Sequence, residues 1–261
     1  MKISTMTTMV AALMLGLVSV PSLAQEQAGD GNNASNDNAK QEQAPPRKLS
    51  AAEKAILVPG HWDNIDQPVR IRYNFNKTGT YEDGFEDRVI MDVKELHEDG
   101  TADIDLDFFS GQHEVTFIQP HNENDVPVNS TIFIYLQGDV YEMTRLTDRK
   151  PQHNFYFNKL IRRALVNQFE TKSVKVSYKG DQVAATKYTV TPYAEDPNRV
   201  DYDKYADKKY EFTMSEQVPG KLYQIRTVIP DNTKDNAPPL IEETLTFASV
   251  EPLEQKAANK N

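Results

Sequence analysis

Through most of this chain, apolar and polar residues alternate with a period of two. Val69, Ile71, Tyr73 and Phe75 share one face, and Arg70, Arg72 and Asn74 take the other. Val89, Met91 and Val93 alternate with Asp92 and Lys94, and Ala102, Ile104, Leu106 and Phe108 alternate with Asp103, Asp105 and Asp107. Val115 and Phe117 continue the series, and Gly100 falls in the turn between the second and third runs. Successive strand side chains point to opposite faces, so the pattern predicts an antiparallel meander with one dry face and one wet face.

Thr131 to Leu136 breaks the alternation. Ile132, Ile134 and Leu136 oppose Phe133 and Tyr135, so both faces are apolar and a central strand covered on both sides is expected. Gln137-Gly138 is then read as a turn into a strand from Asp139 to Leu146. From Asn154 to Phe169 the period changes: Phe157, Leu160, Ile161, Ala164, Leu165 and Gln168 line one helical face, with Lys159, Arg162 and Arg163 largely off it.

Hairpins return in the second half. Val174 to Tyr178 turns at Lys179-Gly180-Asp181 into Val183 to Tyr193, and a polar stretch from Ala194 to Lys209 is read as a loop. Tyr210 to Ser215 turns at Pro219-Gly220, suited to a type II turn, into Lys221 to Ile229, and Leu240 to Val250 is a last strand. The fold class is mainly β (α+β): a curled antiparallel sheet or half-barrel of about ten strands covered by one amphipathic helix. Two stacked sheets are the other solution, and a parallel nucleotide-binding sheet is disfavoured because strands and helices do not alternate.

The two ends carry different signals. Lys2, an apolar run from Met9 to Val20 and Ser22-Leu23-Ala24 make residues 1–24 a secretory signal peptide, with cleavage after Ala24 and a periplasmic destination. The run is too short to span a membrane, so the protein is not expected to be integral to one. Residues 25–48 are rich in Gln, Asn, Asp and Gly and read as a disordered leader, residues 49–253 as a single β-rich domain, and residues 254–261 as a disordered tail. Ser50-Ala51-Ala52-Glu53 is a capping box opening a short helix that Pro59-Gly60 ends.

The formal charge of −10, or −11 without Lys2, argues against nucleic acid and against electrostatic adhesion to anionic headgroups. The absence of cysteine removes disulfides, thiolate metal sites, a thiol nucleophile and an N-terminal lipid anchor together.

Candidate chemistry is sparse. Asp103, Asp105, Asp107 and Glu114 occupy positions 1, 3, 5 and 12 of a calcium loop, but Phe108 stands where the sharp turn needs Gly, and strand alternation would line the aspartates up on the wet face. The histidines His61, His97, His113, His121 and His153 lack the spacing that pairs two ligands on a helix. There is no Gly-x-Ser-x-Gly elbow, no P-loop and no Gly-x-Gly-x-x-Gly, so no cofactor is expected. Arg145, Tyr156, Arg162 and Arg163 form a basic and aromatic grouping near a helix start that could receive an anionic headgroup or sugar.

The outline of signal peptide, curled antiparallel sheet and covering helix resembles the Lol-type periplasmic lipoprotein carriers. Thr213-Met214-Ser215-Glu216-Gln217-Val218-Pro219-Gly220 looks like a strand–Val-Pro-Gly–strand hairpin of such proteins. The stretch Ile132 to Leu165, with Gly138-Asp139-Val140-Tyr141-Glu142-Met143 and Ile161-Arg162-Arg163-Ala164-Leu165, is similar to uncharacterised proteobacterial periplasmic proteins. The resemblance implies a hydrophobic cavity between sheet and helix and a lipid or lipoprotein partner; no functional residue is carried over. Aromatics such as Tyr73, Phe75, Phe108, Phe117, Tyr210 and Phe212 would equally fill that space as core. Three readings follow: a non-catalytic envelope protein binding an apolar or amphipathic molecule, an interaction or structural module without a small ligand, and a hydrolase with an unrecognised site.

Overall fold

The computed structural model describes residues 47–114 and 122–253. The signal peptide, the leader up to residue 46, Val115, Phe117, His121 and the tail from residue 254 lie outside the described residues.

Nine strands form one antiparallel sheet: β1 (Val69–Thr78), β2 (Phe85–Leu96), β3 (Ala102–Phe108), β4 (Asn122–Val126), β5 (Phe169–Tyr178), β6 (Asp181–Val190), β7 (Lys209–Met214), β8 (Leu222–Ile229) and β9 (Ile241–Pro252). Their order is β4-β3-β2-β1-β9-β8-β7-β6-β5, and the sheet is not closed. The chain starts at the centre and meanders outward to β4. It then re-enters at the opposite edge, β5, and meanders back until β9 pairs with β1.

That route decides where the helices go. Between edges β4 and β5 lie α2 (Ser130–Leu146) and α3 (Asn154–Asn167), and the connection crosses the dry face rather than water because both helices carry an apolar stripe to bury. The short α1 (Ala51–Leu57) joins the same layer. Its capping box is complete: Ser50 Oγ accepts from Glu53 N–H at 3.0 Å, and Glu53 Oε2 accepts from Ser50 N–H at 2.9 Å. Ser50 Oγ also donates to the Leu165 carbonyl at 2.7 Å, which ties α1 to α3.

The largest correction to the sequence reading lies in α2. Residues 131–136 and 139–146 are one helix, not two strands, and Gly138 sits inside it. Asn129 caps the helix by accepting from Thr131 N–H at 3.1 Å. Its buried residues Ile132, Tyr135, Leu136, Asp139, Val140 and Met143 recur at three and four positions, so tertiary packing overrides the strand preference of β-branched and aromatic residues. Among the described residues the sheet has nine strands, in keeping with the ten or so expected, and two long helices rather than one cover it. Part of the expected loop from Ala194 to Lys209 is a 3-10 segment, Arg199–Asp207, broken at Asp203 with φ 49°.

The expected faces of the meander are in place. Val69 lies opposite Val93, Ile71 opposite Met91 and Tyr73 opposite Val89, all buried under the helices. The wet face carries a ladder of opposite charges, with Arg70 forked on Asp92, Arg72 on Glu251, and Arg226 between Glu211 and Glu242. At the Val-Pro-Gly hairpin Lys221 N–H donates to the Val218 carbonyl at 2.8 Å and Gly220 has φ 73°, the type II pattern.

Candidate functional site

Tyr135, Asp139 and Glu142 fall on one side of α2, the side pressed against the sheet. A buried carboxylate needs a partner, and the sheet supplies two ammonium groups. Lys208, the residue before β7, brings Nζ to 2.5 Å from Asp139 Oδ1 and 3.2 Å from Glu142 Oε2. Lys77 of β1 donates to Glu142 Oε1 at 2.5 Å and pairs with Glu243 of β9 at 3.1 Å and with Glu82 at 3.3 Å.

Hydroxyls complete the cluster. Tyr210 donates to Asp139 Oδ2 at 2.5 Å and lies 2.8 Å from the Tyr193 hydroxyl. Tyr135 donates to Glu243 Oε2 at 3.3 Å and meets Thr227 Oγ1 at 3.0 Å.

Three inner carboxylates face two ammonium ions, and burial raises two of the three, Asp139 and Glu243. Burial, then repulsion from Glu142, pushes the Glu243 carboxyl up to about 7, whereas the two ammonium groups overcome burial at Glu142 and hold it down at about 2. Both lysines are shifted upward because their carboxylate neighbours outweigh desolvation. Asp139, Glu142 and Glu243 each bring an oxygen within 4.8 Å of the others, the spacing of a cation-binding set. In this arrangement the Lys77 and Lys208 ammonium groups are the cations those oxygens hold.

A second buried polar node lies at the start of α2. Asn129 Nδ2 donates to the Tyr73 hydroxyl at 3.0 Å and to the Gly220 carbonyl at 3.2 Å, and Asn129 N–H donates to His61 Nδ1 at 3.0 Å. His61 Nε2 lies 3.1 Å from the Ala55 carbonyl, which makes it the protonated nitrogen. Burial holds this imidazole down at about 4, so it is neutral near pH 7. Trp62 donates its indole N–H to the Val126 carbonyl at 2.7 Å.

The residues singled out from the sequence are distributed rather than gathered. Arg145 of α2 pairs with Glu82 at 2.7 Å. The Tyr156 hydroxyl of α3 donates to Asp196 at 2.7 Å and accepts from Asn198 at 2.9 Å. Arg162 and Arg163 are exposed on the outer side of α3. Asp103, Asp105 and Asp107 lie along extended strand β3, with Asp103 bound to His97 at 2.9 Å and Asp105 to Lys94 at 2.9 Å; Glu114 follows the 3-10 turn Gly111–His113. His113 stacks on Phe85 with ring centroids 3.9 Å apart.

Sequence reasoning missed the Asp139–Glu142–Lys77–Lys208–Glu243 cluster. Its signal was present: the acids at 139 and 142 share the 3.6-residue period of Ile132, Tyr135 and Met143, and so sit on the apolar face of a helix.

Two depressions open on the wet side. One of about 380 Å³ is lined by Arg226, Asp231, Lys234 and Glu242, and one of about 200 Å³ by Arg88, Asp107 and Glu114. Between sheet and helices, Tyr73, Phe157, Tyr193, Tyr210 and Phe212 fill the space and are fully buried.

No family model matches this chain, and no curated protein does. Among solved structures, the chain is similar to the lipoprotein LppX of Mycobacterium tuberculosis, with a TM-score of 0.33 and 12% identity over 78% of this chain and 96% of that one. It is also similar to a LolA-superfamily protein of Nitrosomonas europaea, with a TM-score of 0.22 and 9% identity over 78% of this chain and 92% of that one.

Proposed function

We propose that this is an exported, non-catalytic binding protein of the cell envelope whose sheet–helix seam receives an apolar or amphipathic molecule. The observation that carries the reading is the open nine-stranded sheet whose dry face is covered by the helical connection between its two edges, with α1 docked beside it. Such a cover can move away from the sheet while the strand ladders stay intact. An acyl chain entering the seam would contribute about 0.8 kcal/mol per buried methylene, so ten methylenes amount to about 8 kcal/mol against the cost of displacing the helices. The ionic cluster would then act as the latch between α2 and the sheet.

Native mass spectrometry of the protein purified gently from its periplasm, paired with the denatured mass, tests this. The expected result is a mass excess that disappears on denaturation and is identified as lipid. Equal masses would sink a tightly held lipid. They would leave the second reading, an interaction module, which the fully buried aromatics in the seam favour.

A further inference from the structure

We propose that the outer face of α3 is a docking surface for an anionic lipid bilayer. From Arg149 to Phe169 the chain holds no Asp or Glu but five basic residues, although acids outnumber bases 39 to 29 in the whole chain. On α3, Phe157, Leu160, Ile161, Ala164 and Leu165 are buried, which leaves Phe155, Lys159, Arg162 and Arg163 as an outward stripe at helical spacing. Arg70, Arg145, Arg149, Arg199 and Arg226 all pair with carboxylates. Among the described residues, Lys159, Arg162 and Arg163 pair with none.

The apolar part of the face argues for a lipid surface over an acidic protein. Phe155 is 78% exposed in the first turn of α3, and Val200 is 81% exposed. Val200 follows closely on Asp196 and Asn198, which the Tyr156 hydroxyl of that same turn binds. A basic stripe beside exposed apolar side chains is the composition of a helix lying in a membrane interface, with cations among the headgroups and apolar groups at the acyl boundary. The net negative charge does not oppose this. The charge ladder lies across the sheet from α3, and fields weaken over about 10 Å at ordinary ionic strength.

The test is cosedimentation of the mature chain with phosphatidylcholine vesicles and with vesicles enriched in phosphatidylglycerol, at low and high salt. The expected result is preferential binding to the anionic vesicles, weakened by salt. The Lys159→Glu/Arg162→Glu/Arg163→Glu variant should lose at least about tenfold in partition, with its melting temperature unchanged, and Phe155→Ala should weaken binding at every salt concentration. Equal binding to both vesicle types, or a charge-reversed variant that binds like the parent, would overturn the proposal. So would capture by polyglutamate without capture by vesicles, which would point to an acidic protein instead. Neither readout depends on a molecule in the seam, so this proposal and the function proposed above fail separately.

Discussion

Lys208 and Asp139 meet at 2.5 Å with both side chains about 1% exposed, which makes an ion pair between the entry to β7 and α2 part of the core. Lys208→Met removes the cation and leaves Asp139 and Glu142 buried beside Lys77 alone. The expected loss is about 3–5 kcal/mol, the usual cost of stranding a buried charge. The Lys208→Met/Asp139→Leu double variant should recover part of that loss. Urea unfolding of the parent, both single variants and the double variant gives the coupling between the two positions.

Glu243 makes stability fall as pH rises. Its folded value of about 7 lies above the ordinary 4.5, so the folded state keeps a proton that the unfolded state releases. The stability present below pH 4.5 is lost between 4.5 and 7. Glu243→Gln keeps the neutral shape, and should exceed the parent above pH 7 by up to about 3 kcal/mol. Melting temperatures across pH 5 to 8 check this, and a variant that tracks the parent throughout contradicts it.

His61 acts in the opposite sense. Its folded value of about 4 lies below the ordinary 6.5, so its contribution is complete above 6.5 and is lost as pH falls towards 4. Between 4.5 and 6.5 the two groups offset each other and the parent's profile should be shallow. His61→Gln should turn that window into a decline with rising pH, and Glu243→Gln should turn it into a rise.

Gly220→Ala is expected to destabilise by about 1–3 kcal/mol. Its φ of 73° is costly for a residue with a Cβ, and that Cβ would stand 3.1 Å from Asn129 Nδ2 and 3.3 Å from Ile71 Cδ1. Since Asn129 caps α2 and binds Tyr73, the strain should reach the helical layer. Hydrogen exchange should show faster opening in α2 than in β5.

Where side-chain period alone decides structure, the fold was legible: β1 to β3, the Ser50 capping box and the Pro219-Gly220 hairpin follow from residues close in sequence. The α2 segment was not, because Ile, Phe and Tyr in succession satisfy both a two-sided strand and a buried helix. The 3.6-residue spacing of Ile132, Tyr135, Asp139 and Met143 favours the helix, and the pairing of Asp139 and Glu142 with Lys208 and Lys77, both distant in sequence, fixes it against the sheet. The anionic-headgroup grouping divided for a similar reason: Arg145 and Tyr156 have partners at Glu82 and Asp196 that local sequence does not show, while Arg162 and Arg163 remain exposed.

The meeting of β1 and β9 at the middle of the sheet has a kinetic consequence. The ladder with the longest chain separation, Val69 to Pro252, is also the one that joins the two halves. Each half is a run of short-range hairpins that can form early, but the join carries the loop-closure cost of nearly the whole domain. Until Ile241–Pro252 has been delivered, β1 and β8 each keep one open edge. The sheet therefore stays in two halves until its last strand is in place.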